Sequence, residues 1–184
     1  WSIFSFAQNN RFKKYFLFSA GISVLIILAF LTSRQCGYWK NDLELFGHAL
    51  QVTKNNEMAH NNFGLALFKN GEEQEAIHHF NMAISIKPHF DLPYYNRGNA
   101  YFRLGLFEKA IADYNYAIRL DPDYAEGYYS RGDAFVKLGQ YQNALHDFDK
   151  AVLLKPDYAK AYNNRGIVYG MLGRYDLAIN NFNE

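Results

Sequence analysis

The sequence predicts an all-α fold, a superhelical solenoid of antiparallel helix pairs preceded by one transmembrane helix. Two observations carry this expectation. Between residues 57 and 184 the same residue types return every 34 positions: Gly64, Gly98, Gly132 and Gly166, then Ala76, Ala110, Ala144 and Ala178, with Pro88, Pro122 and Pro156 closing the complete units. A fixed period of this length marks stacked units, none of which buries its apolar face alone. The second observation is an uncharged run of eighteen residues, 15–32, ahead of the repeats.

In chain order, residues 1–14 form a basic and aromatic juxtamembrane segment. Residues 1–40 hold five Lys/Arg and no acid, whereas the rest holds 14 basic and 18 acidic residues, so the overall +1 hides a basic arm and a mildly acidic array. The basic residues are few and interrupted by apolar ones, which is not a nucleic-acid footprint.

Residues 15–34 are predicted to span a membrane. Eighteen helical residues reach about 27 Å, close to the roughly 30 Å hydrocarbon core. A buried core helix is the plainer alternative, but no charge, proline or amphipathic stripe interrupts the run. A cleaved secretory signal competes less well, because the run is long and no small-x-small pattern closes it. Cys36 follows no lipobox-like sequence, and a lone cysteine cannot form an internal disulfide, so it does not test the compartment. Arg11, Lys13 and Lys14 before the span against Arg34 and Lys40 after it favour a cytoplasmic N-terminal side. The repeats are then expected outside the cytoplasm, in periplasm or lumen. Tyr38 and Trp39 suit the interfacial belt.

Residues 38–56 read as the second helix of a repeat whose first helix is absent, since Phe46 and Ala49 stand 34 residues before Phe80 and Ala83. Asn41 or Asp42 is the expected N-cap. The full units are 57–90, 91–124, 125–158 and a truncated 159–184. The chain opens on Trp1 and stops inside the fourth unit's second helix, so a fragment or processed chain without its terminal capping helix is expected.

Within the unit 125–158, Tyr128, Gly132 and Phe135 lie three or four residues apart and share one helical face. Gly139 then ends that helix in the position where a left-handed backbone suits glycine; Gly71, Gly105 and Gly173 are its equivalents. Ala144, Phe148 and Ala151 line the second helix, and small residues at Gly132 and Ala144 would let the two helices approach closely. On these residues the array resembles the tetratricopeptide repeats, whose pattern is an aromatic, then Leu-Gly, a Tyr, an Ala, an aromatic and a terminal Pro at the offsets seen here. It departs by placing Arg97, Arg131 and Arg165 where Leu is usual, with Phe63 there in the first unit. His60 replaces the leading aromatic in that unit, which is expected to pack less tightly. A finer resemblance lies in residues 34–67, where Arg-Gln-x-Gly-Tyr-Trp-Lys-Asn, a Leu-Phe-x-x-Ala-Leu half-repeat and AHNNFGLAL look like the C-terminal part of multispanning membrane proteins with these repeats, of the O-mannosyltransferase type. That resemblance implies catalysis in an earlier membrane domain, absent from these residues.

Arg97 and Arg131 each have an aspartate sixteen residues later, Asp113 and Asp147, on the partner helix; Phe63 faces His79 and Arg165 faces Asn181 at the same offset. Ion pairs within the two middle repeats are expected, worth about 0–1 kcal/mol if exposed.

The resemblance places the first helix of each unit on the concave surface. That face offers Asn61, Asn62, Leu65 and Phe68; Tyr95, Asn96, Asn99 and Phe102; Tyr129, Ser130 and Asp133; and Asn163, Asn164 and Ile167. Asn62, Asn96 and Asn164 share one place in the period. An amide both donates and accepts, so such a ladder could pair with the backbone of an extended peptide; a similar ladder is known in the tetratricopeptide repeats of O-GlcNAc transferases. The plain alternative is that these asparagines are solvated or bond neighbouring turns. A carboxylate clamp of the cochaperone kind is not expected: Lys69, Lys137 and Lys160 are scattered and Asp133 opposes an anion. His78 and His79 are adjacent and point to different helix faces, so no metal site is expected, and neither a catalytic residue nor a cofactor is. The leading function is a membrane-tethered module that binds an extended peptide or partner protein. The alternatives are the accessory region of a membrane glycosyltransferase and a structural scaffold for a membrane complex.

Overall fold

The computed structural model describes residues 41–183, together with Ile27, Leu28 and Leu31. The predicted juxtamembrane segment 1–14 and, those three positions aside, the predicted span 15–34 lie outside the described residues. Among the described residues no helix is long and apolar enough to cross a membrane. The chain divides into two compact units, Trp1–His48 and Ala49–Glu184, and the repeats belong to the second.

From Asn41 onward the described residues form nine helices: α1 Asp42–Val52, α2 Glu57–Lys69, α3 Glu73–Ile86, α4 Asp91–Arg103, α5 Phe107–Leu120, α6 Ala125–Lys137, α7 Tyr141–Leu154, α8 Ala159–Met171 and α9 Tyr175–Phe182. Asn41 caps α1, its Oδ1 accepting from the Glu44 N–H at 2.8 Å. Asn56 caps α2 in the same way, accepting from the Ala59 N–H at 2.8 Å.

Each first helix (α2, α4, α6, α8) packs on its own second helix, and the second helices α3, α5 and α7 pack on the next first helix. The first helices of successive repeats also touch one another. Close spacing on that side places them on the inside of the curve. The first helices end alike. Gly139 has φ +70°, its N–H donates to the Val136 carbonyl, and the Gln140 N–H reaches back to Phe135 at 2.9 Å. This paired closure satisfies carbonyls that the helix end leaves unpaired.

The core is alanine and aromatic. Ala76, Ala83, Ala110, Ala117, Ala144 and Ala151 are fully buried, as are Phe80 and Phe148. Each of these rings lies against the glycine of the facing helix: a methyl group on Gly64 would come within 2.8 Å of Phe80, and one on Gly132 within 2.8 Å of Phe148. The core also crosses repeat boundaries, as where Ile118, Tyr128, Ala151 and Ala161 of four successive helices meet in one cluster. His60, in the place of the leading aromatic, is less buried than Tyr94 and Tyr128. It makes a 3.1 Å contact between its Nδ1 and that of His79.

The arginines do more than pair within a repeat. Arg131 Nε and Nη2 donate to both oxygens of Asp147 at 2.7 Å, while its Nη1 reaches Asn115 of the preceding repeat at 2.6 Å. Arg97 repeats this with Asp113 and Asn81. Arg165 donates to Asn181 at 2.6 Å and to Asp149 of the preceding repeat at 2.7 Å. The pairs are not the exposed bridges that a small energy would suit: the Asp147 side chain is 1% exposed and that of Arg131 is 17%.

Candidate functional site

All fourteen residues expected on the concave face fall on the first helices, the layer on the inside of the curve. Most of their polar members fall into three clusters, two of which share Tyr129 and Asp133. At the N-terminal end, Asn61 and Asn96 are buried, 3% and 9% exposed. Asn96 Nδ2 donates to Asn61 Oδ1 at 2.9 Å, and Asn61 Nδ2 donates to Asn62 Oδ1 at 3.1 Å. At the C-terminal end, Asn164 Nδ2 donates to Tyr129 Oη at 3.2 Å and to Asp133 Oδ1 at 3.4 Å, and Asn163 donates to Asn164 at 3.4 Å.

These bonds reveal a regularity that the 34-residue period does not. The pairs Asn61–Asn96, Tyr95–Ser130 and Tyr129–Asn164 are each 35 residues apart. One position of a repeat bonds the following position of the next repeat, three times in succession. The ladder asparagines Asn96 and Asn164 are thus engaged between repeats, and their amides have correspondingly less capacity left for a ligand.

The third cluster is central. A cavity of about 260 Å³ opens between α4 and α6, lined by Phe68, Asn99, Phe102, Arg103, Tyr114, Tyr129, Ser130 and Asp133. It contains six of the expected residues, Phe68, Asn99, Phe102, Tyr129, Ser130 and Asp133. It adds two that do not belong to the expected face. Tyr114 comes from the second helix α5 and donates its hydroxyl to Asn99 Oδ1 at 2.8 Å. The signal was present: Tyr114 stands where Phe80, Phe148 and Phe182 stand in the other units, and only a tyrosine there carries a polar tip into the groove. Arg103 ends α4. Its Nη1 donates to the Phe68 carbonyl at 2.8 Å and to Glu73 Oε1 at 2.9 Å, and its guanidinium lies 3.7 Å from the centre of the Phe68 ring.

Burial pushes the Asp133 carboxyl above its ordinary range, and the charge of Lys137 offsets this only in part. Burial, with Asp133 next to it, likewise raises the Tyr129 phenol. Among the described residues no group of three or more His, Cys, Asp or Glu is arranged to hold a metal ion. The site is therefore a short aromatic trough with amide, hydroxyl and carboxylate groups on its floor.

A family model described as TPR repeat matches residues 67–105, 99–139 and 132–173, together more than half of the chain. No curated protein sequence matches it. Solved structures do. A crystal structure of MamA is 24% identical and aligns over 83% of this chain and 89% of that one with a TM-score of 0.73, a likeness of fold alone. The first TPR of Spaghetti (RPAP3), bound to the HSP90 peptide SRMEEVD, is 28% identical over 67% of this chain and 98% of that one, TM-score 0.63. The second TPR domain of human RPAP3, in complex with the HSP70 peptide SGPTIEEVD, is 29% identical over 59% and 91%, TM-score 0.58.

Proposed function

The chain belongs to the tetratricopeptide-repeat family, as a non-enzymatic protein-interaction module, and on that premise we propose that it takes an extended polypeptide along the inner layer of α2, α4, α6 and α8. The observation that carries this reading is the central cavity, in which apolar rings and convergent polar groups from neighbouring repeats face one trough. Pockets of this make-up are the usual places for specific contact. The peptide-bound relatives support the mode of binding. Their acidic peptides are a poor guide to the ligand, because Asp133 sits on this groove's floor.

The test is selection of peptides from a random library against the full chain, followed by affinity measurement on variants. Asn99→Ala and Phe102→Ala are expected to weaken the selected peptides at least about tenfold, equivalent to 1.4 kcal/mol. Glu108→Ala on the outer helix α5 is expected to leave them unchanged. The reverse pattern overturns the groove. The asparagines of the ladder are unsuitable probes, since removing Asn96 or Asn164 also cuts a bond between repeats.

Tethering belongs to the same proposal and rests on sequence. The uncharged run within 15–34 would hold the array at a membrane, with the repeats on the side away from the cytoplasm. The motif in 34–67 supports the narrower reading in which the groove presents acceptor protein to a membrane glycosyltransferase. If the tether is real, the expressed chain stays in the membrane pellet after alkaline carbonate washing and a chain lacking 15–34 is released. Release of the intact chain removes the tether.

A further inference from the structure

We propose that the central cavity is a subsite for one basic side chain, a lysine or arginine of the bound polypeptide, with Asp133 as its counter-ion. The inference rests on groove binding and specifies its chemistry.

Two other aspartates of the repeats, buried more deeply than the half-buried Asp133, have guanidinium partners. Asp113 and Asp147 are each held by two hydrogen bonds from an arginine. Asp133 differs: among the described residues it forms no ion pair within 4 Å, and its one side-chain hydrogen bond is the long contact from Asn164, which Tyr129 shares. A carboxylate taken partly out of water without a cation is costly, and a cation delivered by a ligand removes that cost.

The other charges around the cavity do not fill this role. Arg103 is the one cation in the lining, and its guanidinium is committed to Glu73 and to the Phe68 carbonyl and ring. With Glu73 it forms a neutral pair, leaving Asp133 as the uncompensated charge. Lys137, one turn further along α6, is exposed and acts on Asp133 at longer range.

The walls favour the same occupant. Phe68, Phe102, Tyr114 and Tyr129 bring aromatic surface to the cavity. Long basic side chains lay their methylene stems on such surface and place the charged head at a polar group beyond it, and aromatic faces attract cations in addition. The volume accommodates such an occupant: about 260 Å³, at the lower edge of the roughly 300–1,000 Å³ of small-molecule sites, holds one side chain whose backbone runs along the groove outside.

The experiment is a positional-scanning library of ten-residue peptides, each position fixed in turn as Lys, Arg, Glu or Leu with the others random, titrated against the full chain. Pools fixed as Lys or Arg at one position are expected to bind about tenfold more tightly than the Glu pool at that position. Asp133→Asn, which keeps the shape, should abolish that preference while pools fixed elsewhere still bind. Asp133→Lys should shift it toward Glu. An unchanged thermal unfolding midpoint for Asp133→Asn confirms that its fold is intact. Binding with no basic preference, or a preference that survives Asp133→Asn, overturns the subsite and leaves the groove standing. Failure of every pool to bind overturns the groove and the subsite together.

Discussion

At the scale of single residues, the arginines before Gly98, Gly132 and Gly166 have the largest energetic consequence. A surface ion pair contributes roughly 0–1 kcal/mol, the range suggested by spacing alone. Asp147 is almost wholly buried, and that changes the magnitude. Asp147→Ala leaves the Arg131 guanidinium without its carboxylate and is expected to cost about 3–5 kcal/mol in urea unfolding. Replacing both partners by leucine, the residue the family usually places before the glycine, should cost clearly less than the sum of the single losses. Additive losses would show that the pair has no coupling. Arg165 should respond less to the loss of Asn181, because its partner there is an uncharged amide and its other partner, Asp149, is exposed.

At the scale of elements, the approach of paired helices is set by a glycine against a ring. Gly132 leaves room for Phe148, whereas Gly139 meets nothing within 4 Å and is required by its positive φ. The two glycines are present for unrelated reasons, one of packing and one of backbone conformation. The α2–α3 pair carries a different constraint, the contact between His60 and His79. Burial lowers both imidazoles below 6.5, and repulsion from neighbouring histidines lowers them further. The folded state therefore binds fewer protons than the unfolded chain as pH falls below about 6.5. Stability from this pair is complete above that pH and falls below it, as the unfolded chain takes up protons that the folded imidazoles resist, until the pH has passed through the folded pKa values. The thermal midpoint is expected to fall between about pH 7.5 and about pH 5.5, and His79→Leu should flatten part of that slope. An identical slope in the variant would place the titration elsewhere.

For the repeat array as a whole, the period of 34 gave the helix-turn-helix unit, the closing glycines and the alanine core directly, because those features recur at identical positions and depend on local geometry. The offset of sixteen likewise led to Arg97–Asp113 and Arg131–Asp147. It did not reveal that each arginine also bonds the preceding repeat, since Asn81 and Asn115 lie the same sixteen residues away in the opposite direction. The face of Asn99, Tyr129 and Asp133 was legible only through the family resemblance, which places the first helix of each unit on the concave side. The cavity was not, because Tyr114 enters it from a second helix and Arg103 from a helix end.

The sequence by itself determined that this is a repeat solenoid, and its family resemblance pointed to the first helix of each unit, with its polar groups, as the concave layer. Only the tertiary structure decided which of those polar groups are already used. The bonds at a spacing of 35 join one position to the following position of the next repeat, a pairing that exists only once the repeats stack. It draws Asn61, Asn96 and Asn164 into the scaffold, while Asp133 keeps one long hydrogen bond from Asn164 and, among the described residues, no ion pair.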